Sequence, residues 1–197
     1  MGKSFSVFKA DLFNFGLPIE TLGFFQSSIS KKDMVKKIEL RVEIDEYNDV
    51  SALDDMDARL LEAASKAADK AYAPYSHFNV GAAALLENGE IVTGNNQENV
   101  AYPSGLCAER VVMFSVGAHH PNVPVMALAI TAKSEEFELD EPLAPCGACR
   151  QVMVETEKKY GQHIKIILRG QRGKIHVINS VNDILPFSFS SDKLKDK

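Results

Sequence analysis

A chain of 197 residues with 45% hydrophobic and 25% charged side chains carries enough apolar material for one buried core, which excludes a disordered chain and makes a single domain the default. Its formal net charge of -5 argues against wholesale nucleic-acid binding, which needs a concentrated basic surface, and the runs "KKDMVKK" and "KLKDK" read as solvated surface. No stretch approaches the roughly 18 apolar residues of a membrane span; three cysteines without regular disulfide spacing fit a reducing compartment, so a cytoplasmic protein with no membrane partner is expected.

Residues 1–33 show little apolar periodicity, and Lys9, Asp11, Asn14 and Glu20 interrupt their aromatic run, so they read poorly as a signal peptide. They are expected to form a poorly ordered or weakly docked extension, with a single folded domain over 34–197. The alternation in "KIELRVEI" (37–44) predicts a strand. Ser51 is a good N-cap for a helix whose Leu53, Met56, Leu60, Leu61, Ala64, Ala67 and Ala68 recur at helical spacing. "FNVGAAALLE" and "EIVTG" flank Asn88-Gly89, a pair suited to a tight turn, and predict a hairpin. After the loop "NNQENVAYPSGL" come a helix from Cys107, an apolar strand "VMALAITA", a helix from Cys146, the strands "IKIILR" and "KIHVIN", and a short helix or turn at "VNDILP". This order gives an α/β fold, a three-layer α/β/α sandwich with a mixed central sheet.

Every cysteine lies in one of two short runs, "LCAER" (106–110) and "CGACR" (146–150), each opening a helix. Sites in α/β sheets gather where strand ends meet helix starts. Cys146 and Cys149 stand three positions apart, so at a helix start both sulfurs can face one ion, and Cys107 would supply a third from the neighbouring helix. Thiolates at tetrahedral reach favour zinc, and three protein ligands leave one position for water, as a catalytic rather than a structural site does. A structural knuckle would need a fourth ligand, and His119 and His120 stand about three turns along the helix. His77 reads as a loop residue. Three small buried hydrophobes remain the other reading of these cysteines. Two helix N-termini and the neighbouring Arg110 and Arg150 would temper the negative charge of three sulfurs, Arg110 being the preferred partner of a ligand thiolate. Glu109, two residues after Cys107, is usually just a dipole-complementing residue at such a place, but beside a P-C-x-x-C run it matches the non-ligand acid/base of zinc deaminases.

With these runs, "YAPYSHFNVGAA", "TGNNQENVAYPSG" and "LPFSF" stand in an order that resembles the short nucleoside-salvage cytidine deaminases, from about residue 52 to about residue 190. The resemblance implies a cytidine deaminase-like sandwich with one Zn2+ per chain on Cys107, Cys146 and Cys149. It further implies Glu109 as proton shuttle in the hydrolysis of cytidine and deoxycytidine to uridine and deoxyuridine plus ammonia. Asn96 and Glu98 fall where the family holds ribose hydroxyls, Phe78 where it packs the pyrimidine, and the Ala108 N–H where it helps hold the base. Phe189 matches a phenylalanine that reaches a neighbouring subunit's pocket, which implies a homo-oligomer, expected to be a tetramer. Asn79 stands where the family often has proline. A blasticidin-type deaminase shares "CAE" and "PCGxC", but "NNQEN" and "LPFSF" favour a small nucleoside substrate. An editing deaminase or a non-catalytic binding module would call for a basic strip and splayed aromatics, and the chain has no tryptophan.

Overall fold

The protein is represented by a computed structural model that describes residues 35–190. The expected extension over 1–33 lies outside the described residues. In chain order the elements are β1 (Asp45–Tyr47), α1 (Asp55–Ala68), β2 (Phe78–Leu86), β3 (Ile91–Asn95), α2 (Ala108–His119), β4 (Val125–Ser134), α3 (Gly147–Tyr160), β5 (Lys165–Arg169), β6 (Ile175–Ile178) and α4 (Val181–Ile184). The sheet runs β1-β6-β5-β4-β2-β3, with β4 and β5 parallel and every other pair antiparallel. The single parallel pair follows from connectivity, because β4 reaches β5 through the crossover helix α3. β2 and β3 form the expected hairpin, with Gly89 supplying a positive φ of 83° at the turn.

Two cores lie on opposite faces of the sheet, sorted by the period-2 alternation of its strands. Leu128 and Ile130 of β4 and Ile166 and Leu168 of β5 pack with Val112, Met113 and Val116 of α2 and Met153 and Val154 of α3. The intervening Ala127, Ala129 and Ile167 pack instead with Leu60, Leu61 and Ala64 of α1. The expected three-layer sandwich is therefore observed.

Alanines let α1 approach the sheet closely. A methyl group added at Gly81 of β2 would overlap the Ala64 carbonyl oxygen and the Ala68 backbone. Gly81→Ala is expected to cost about 1–3 kcal/mol by overpacking. Thermal unfolding checks this, and an unchanged midpoint would mean that α1 has room to move off the strand.

Two local expectations are corrected. Residues 37–44 form no strand; only Asp45–Tyr47 pair, against Ile175–Val177 of β6. Alternation specifies a face but supplies no partner, and β6 is just four residues long. Val42 and Ile44 accordingly remain 45% exposed. Ser51 does not cap α1 but sits in a 3-10 turn at Val50–Ala52, where its N–H donates to Asp49. Asp54 is the N-cap, its carboxylate accepting from the Asp57 N–H at 2.8 Å.

Candidate metal centre and active site

Cys107 is the N-cap of α2 and Cys146 the N-cap of α3, positions that Ser, Thr, Asp or Asn ordinarily fill. Neither side chain caps its helix, so the first-turn N–H groups are left without a side-chain acceptor from these positions. Cys149 is the third residue of α3, and N-cap and N3 side chains meet at a helix start, the relation a capping box also uses. The Cys146 and Cys149 sulfurs lie 3.4 Å apart and those of Cys107 and Cys146 4.0 Å apart. All three fall within 4.8 Å of one another, and none is in a disulfide.

Tetrahedral zinc with Zn–S bonds of about 2.3 Å sets its sulfurs about 3.8 Å apart, so this donor set fits the ion in both spacing and softness. Zinc is the cofactor this chemistry selects. Among the described residues no histidine or carboxylate joins the cluster. His119, at the far end of α2, holds the Ser115 carbonyl at 2.9 Å, and His120 faces Glu90.

The charges around the sulfurs favour a thiolate at Cys107. A hydrogen bond with Cys149, aided by the Arg110 guanidinium, pulls the Cys107 thiol down to about 5. The same hydrogen bond, together with burial, pushes the Cys149 thiol up. Arg110 Nη2 lies 3.9 Å from the Cys107 sulfur and donates to the Gly105 carbonyl at 3.4 Å. The other arginine of the motifs, Arg150, turns away to the carbonyls of Pro145 (2.7 Å) and Ile184 (2.9 Å). Glu109 is only 5% exposed, and burial raises its pKa above the usual carboxylate range.

A cavity of about 720 Å³ opens in front of these groups, and Phe78, Asn96, Glu98, Cys107, Glu109 and Cys146 all line it. Ala108 begins α2 beside it, its N–H among the first-turn donors that no helical carbonyl reaches. Asn96 is largely engaged with the β2 backbone, accepting from Val80 N–H at 2.8 Å and donating to the Phe78 carbonyl at 2.9 Å. Glu98 accepts from the Tyr75 N–H at 2.9 Å, the Ser76 N–H at 3.3 Å and the Ser76 hydroxyl. The Ser76 hydroxyl, first among these donors, holds the Glu98 carboxyl below its ordinary range. Both side chains thus brace the turn that delivers Phe78, in which His77 adopts a positive φ of 50°. His77 is the loop residue expected, and Asn79 enters the ladder opposite Lys133.

Phe189 does not line this cavity. It is 74% exposed, and its backbone N–H and C=O are both held by the Gln151 side chain, at 3.0 and 2.8 Å. Three aromatic neighbours of the site had no role assigned from sequence. Tyr75 and Tyr102 line the cavity with their rings edge to face at 6.4 Å, and Phe137 stacks on Phe78. "YAPY" and "AYPS" carried the tyrosines in plain view, whereas nothing in "SEEFELDEP" singles out its phenylalanine.

A sandwich that gathers three cysteines and a buried glutamate at two helix starts, beside an aromatic cavity, defines the class of single-zinc hydrolytic deaminases. Comparison with known proteins sharpens that class. Residues 54–161 match the cytidine and deoxycytidylate deaminase zinc-binding region. A cytidine deaminase of Halalkalibacterium halodurans is 36% identical over 137 residues, covering 70% of this chain and 96% of that protein. One of Mycobacterium tuberculosis is 39% identical over 141 residues, covering 71% and 95%. The crystal structure of cytidine deaminase from Burkholderia pseudomallei is similar with a TM-score of 0.58 at 40% identity, over 66% of this chain and 97% of that one. The chain belongs to the cytidine and deoxycytidylate deaminase family.

Proposed function

We propose that this protein is a zinc-dependent cytidine deaminase of pyrimidine salvage, hydrolysing cytidine and deoxycytidine to uridine and deoxyuridine with release of ammonia. The observation that carries the reading is a buried carboxyl, Glu109, lining the same cavity as Cys107 and Cys146. Cys107, Cys146 and Cys149 would hold the zinc, whose Lewis acidity when bound would bring the pKa of water toward about 7. Glu109 takes one proton from the attacking water and passes it to ring nitrogen N3 as C4 is attacked; it then takes the second from the hydroxyl on C4 and delivers it to the amino group, so that the C4–N bond breaks as the C4 carbonyl forms. Its raised pKa suits a group that must both accept and give a proton. Arg110 balances thiolate charge at Cys107. Phe78 packs on the pyrimidine, the Ala108 N–H holds the base, and Glu98 and Asn96 offer their remaining hydrogen-bonding capacity to the ribose.

Free nucleoside is the substrate we favour over a polynucleotide. The loop after β4 that brings Phe137 onto Phe78 also carries Glu135, Glu136, Glu138, Asp140 and Glu141, and the chain as a whole has a net charge of -5, a balance that disfavours a phosphate backbone. Incubation with cytidine and, separately, with a cytosine-bearing oligonucleotide tests this, read by the loss of ultraviolet absorbance. Cytidine is expected to be converted and the oligonucleotide left intact; inert cytidine overturns the reading.

We also propose a homotetramer in which Phe189 of one copy completes the cavity of another. In support, Phe187 and Phe189 are 87% and 74% exposed, yet the Phe189 backbone is tied to α3 through Gln151. Native mass measurement is expected to give four chains with one zinc each, and a monomer of full activity would reject the assembly. Free thiols are compatible with a reducing, cytoplasmic setting. Among the described residues no helix is long and apolar enough to cross a membrane.

A further inference from the structure

Phe137 lies in the loop between β4 and α3, outside every motif of the site and outside the cavity lining. Its ring stacks on that of Phe78 with centroids 6.0 Å apart and planes only 15° from parallel, while the side chain remains 51% exposed. An aromatic held half in solvent on an acidic surface loop gains little from burial. What it does here is cover Phe78, the ring that also lines the cavity.

The loop bearing it is fixed by a distant turn. Between β5 and β6, a methyl group at Gly170 would overlap the Leu139 and Glu141 carbonyl oxygens, and one at Gly173 the Asp140 carbonyl oxygen. Gly173 in addition has a φ of +83°, a conformation that glycine adopts without strain. The Arg172 N–H donates to the Leu139 carbonyl at 3.1 Å, the Arg172 guanidinium pairs with Glu138, and the buried Thr131 hydroxyl donates to the Gly170 carbonyl at 2.7 Å. A continuous packed chain therefore runs from the β5–β6 turn through residues 138–141 to Phe137, and from Phe137 to Phe78.

We infer that Phe137 is a positioning residue for substrate binding: stacked on Phe78 and propped by the β5–β6 turn, it fixes the orientation of the ring that receives the pyrimidine. The inference rests on the proposed deaminase function for its substrate but on the stack alone for its geometry. Phe137 touches neither the sulfurs nor Glu109, so its loss weakens ground-state binding and leaves the chemical step intact.

The test compares zinc-loaded wild type with Phe137→Ala, Phe137→Tyr and Gly173→Ala. Aromatic pairs of this kind correspond to about a threefold to tenfold change in an equilibrium. Phe137→Ala is expected to raise KM for cytidine by about that factor with kcat within about twofold. Its zinc content should be unchanged and its melting temperature lowered by no more than a few degrees, and Phe137→Tyr, which keeps the ring, should behave as wild type. Gly173→Ala should reproduce the KM effect, and the two changes combined should add little to either alone. Independently of activity, the Phe78 ring resonances in phenylalanine-labelled protein should lose their ring-current shift in Phe137→Ala. A wild-type KM in Phe137→Ala overturns the inference, as do unmoved Phe78 resonances. Wild type that leaves cytidine untouched strikes the proposed function instead, and the resonances still decide whether Phe137 stacks on Phe78.

Discussion

Glu109→Gln, purified with its zinc in place, is expected to turn over cytidine about 10²- to 10⁴-fold more slowly than wild type. The substitution is nearly isosteric, so it preserves the packing of a side chain that is only 5% exposed. It removes the one property the proposed chemistry needs, exchange of a proton between water, N3 and the leaving amine. The competing account of a first-turn glutamate is complementarity to the helix dipole, worth about 0.3–1 kcal/mol at an exposed site. That account predicts a small loss of stability and little change in rate. Burial separates the two, because a dipole-complementing carboxylate has no reason to leave water, whereas this one is buried beside the Cys107 and Cys149 thiols and lines the cavity. Metal analysis beside the rate measurement isolates the effect: full zinc with near-native turnover would remove Glu109 from the proton path.

Stripping the metal with a chelator is expected to abolish activity and to lower the unfolding midpoint, and stoichiometric zinc to restore both. The sulfurs tie the starts of α2 and α3 together over the shared core of Val112, Met113, Met153 and Val154. A ligand bound at a thousandfold excess over its Kd stabilises the folded state by about 4.1 kcal/mol. For a chain of this size that moves Tm by on the order of 10 °C. Cys149→Ala supplies the control. Cys149 is fully buried and packs within the same core, so its replacement carries a packing loss as well as the loss of a ligand. The discriminating measurement is therefore response to zinc: metal-free wild type should gain stability on titration, and Cys149→Ala should not. Protein that stays fully active without bound metal would remove the basis of the proposed chemistry.

Both predictions concern residues that could be found without coordinates. The N-cap and N3 positions of one helix converge by local geometry, so "PCGAC" already implied that two sulfurs meet, and "CAE" placed the carboxyl beside the third. The layer order was equally legible, since hydrophobic period distinguishes helices from strands over segments as long as α1, β4 and α3. Partnership was not legible in the same way. The alternating "KIELRVEI" named a face but found no ladder beyond Tyr47, because the available edge is short. Ser51 and Asp54 are both competent caps by residue type, and the 3-10 turn at Val50–Ala52 left that role to Asp54.

The sequence by itself determined the chemistry of this protein: which atoms are soft ligands, which carboxyl stands beside them, and that both motifs begin helices. Tertiary structure decided how those groups are supported. Glu157, an unremarked glutamate on α3, is buried and accepts hydrogen bonds from Ile164, Ser180, Val181 and Asn182, fastening α4 to the helix that carries Cys146 and Cys149. Asn96 proved to be braced against the Phe78 and Val80 backbone, and Phe137 to stand behind Phe78. The physical reason is range. Capping geometry and ligand spacing are fixed within one helical turn, whereas a stack between residues 78 and 137 exists only once the chain has folded them together.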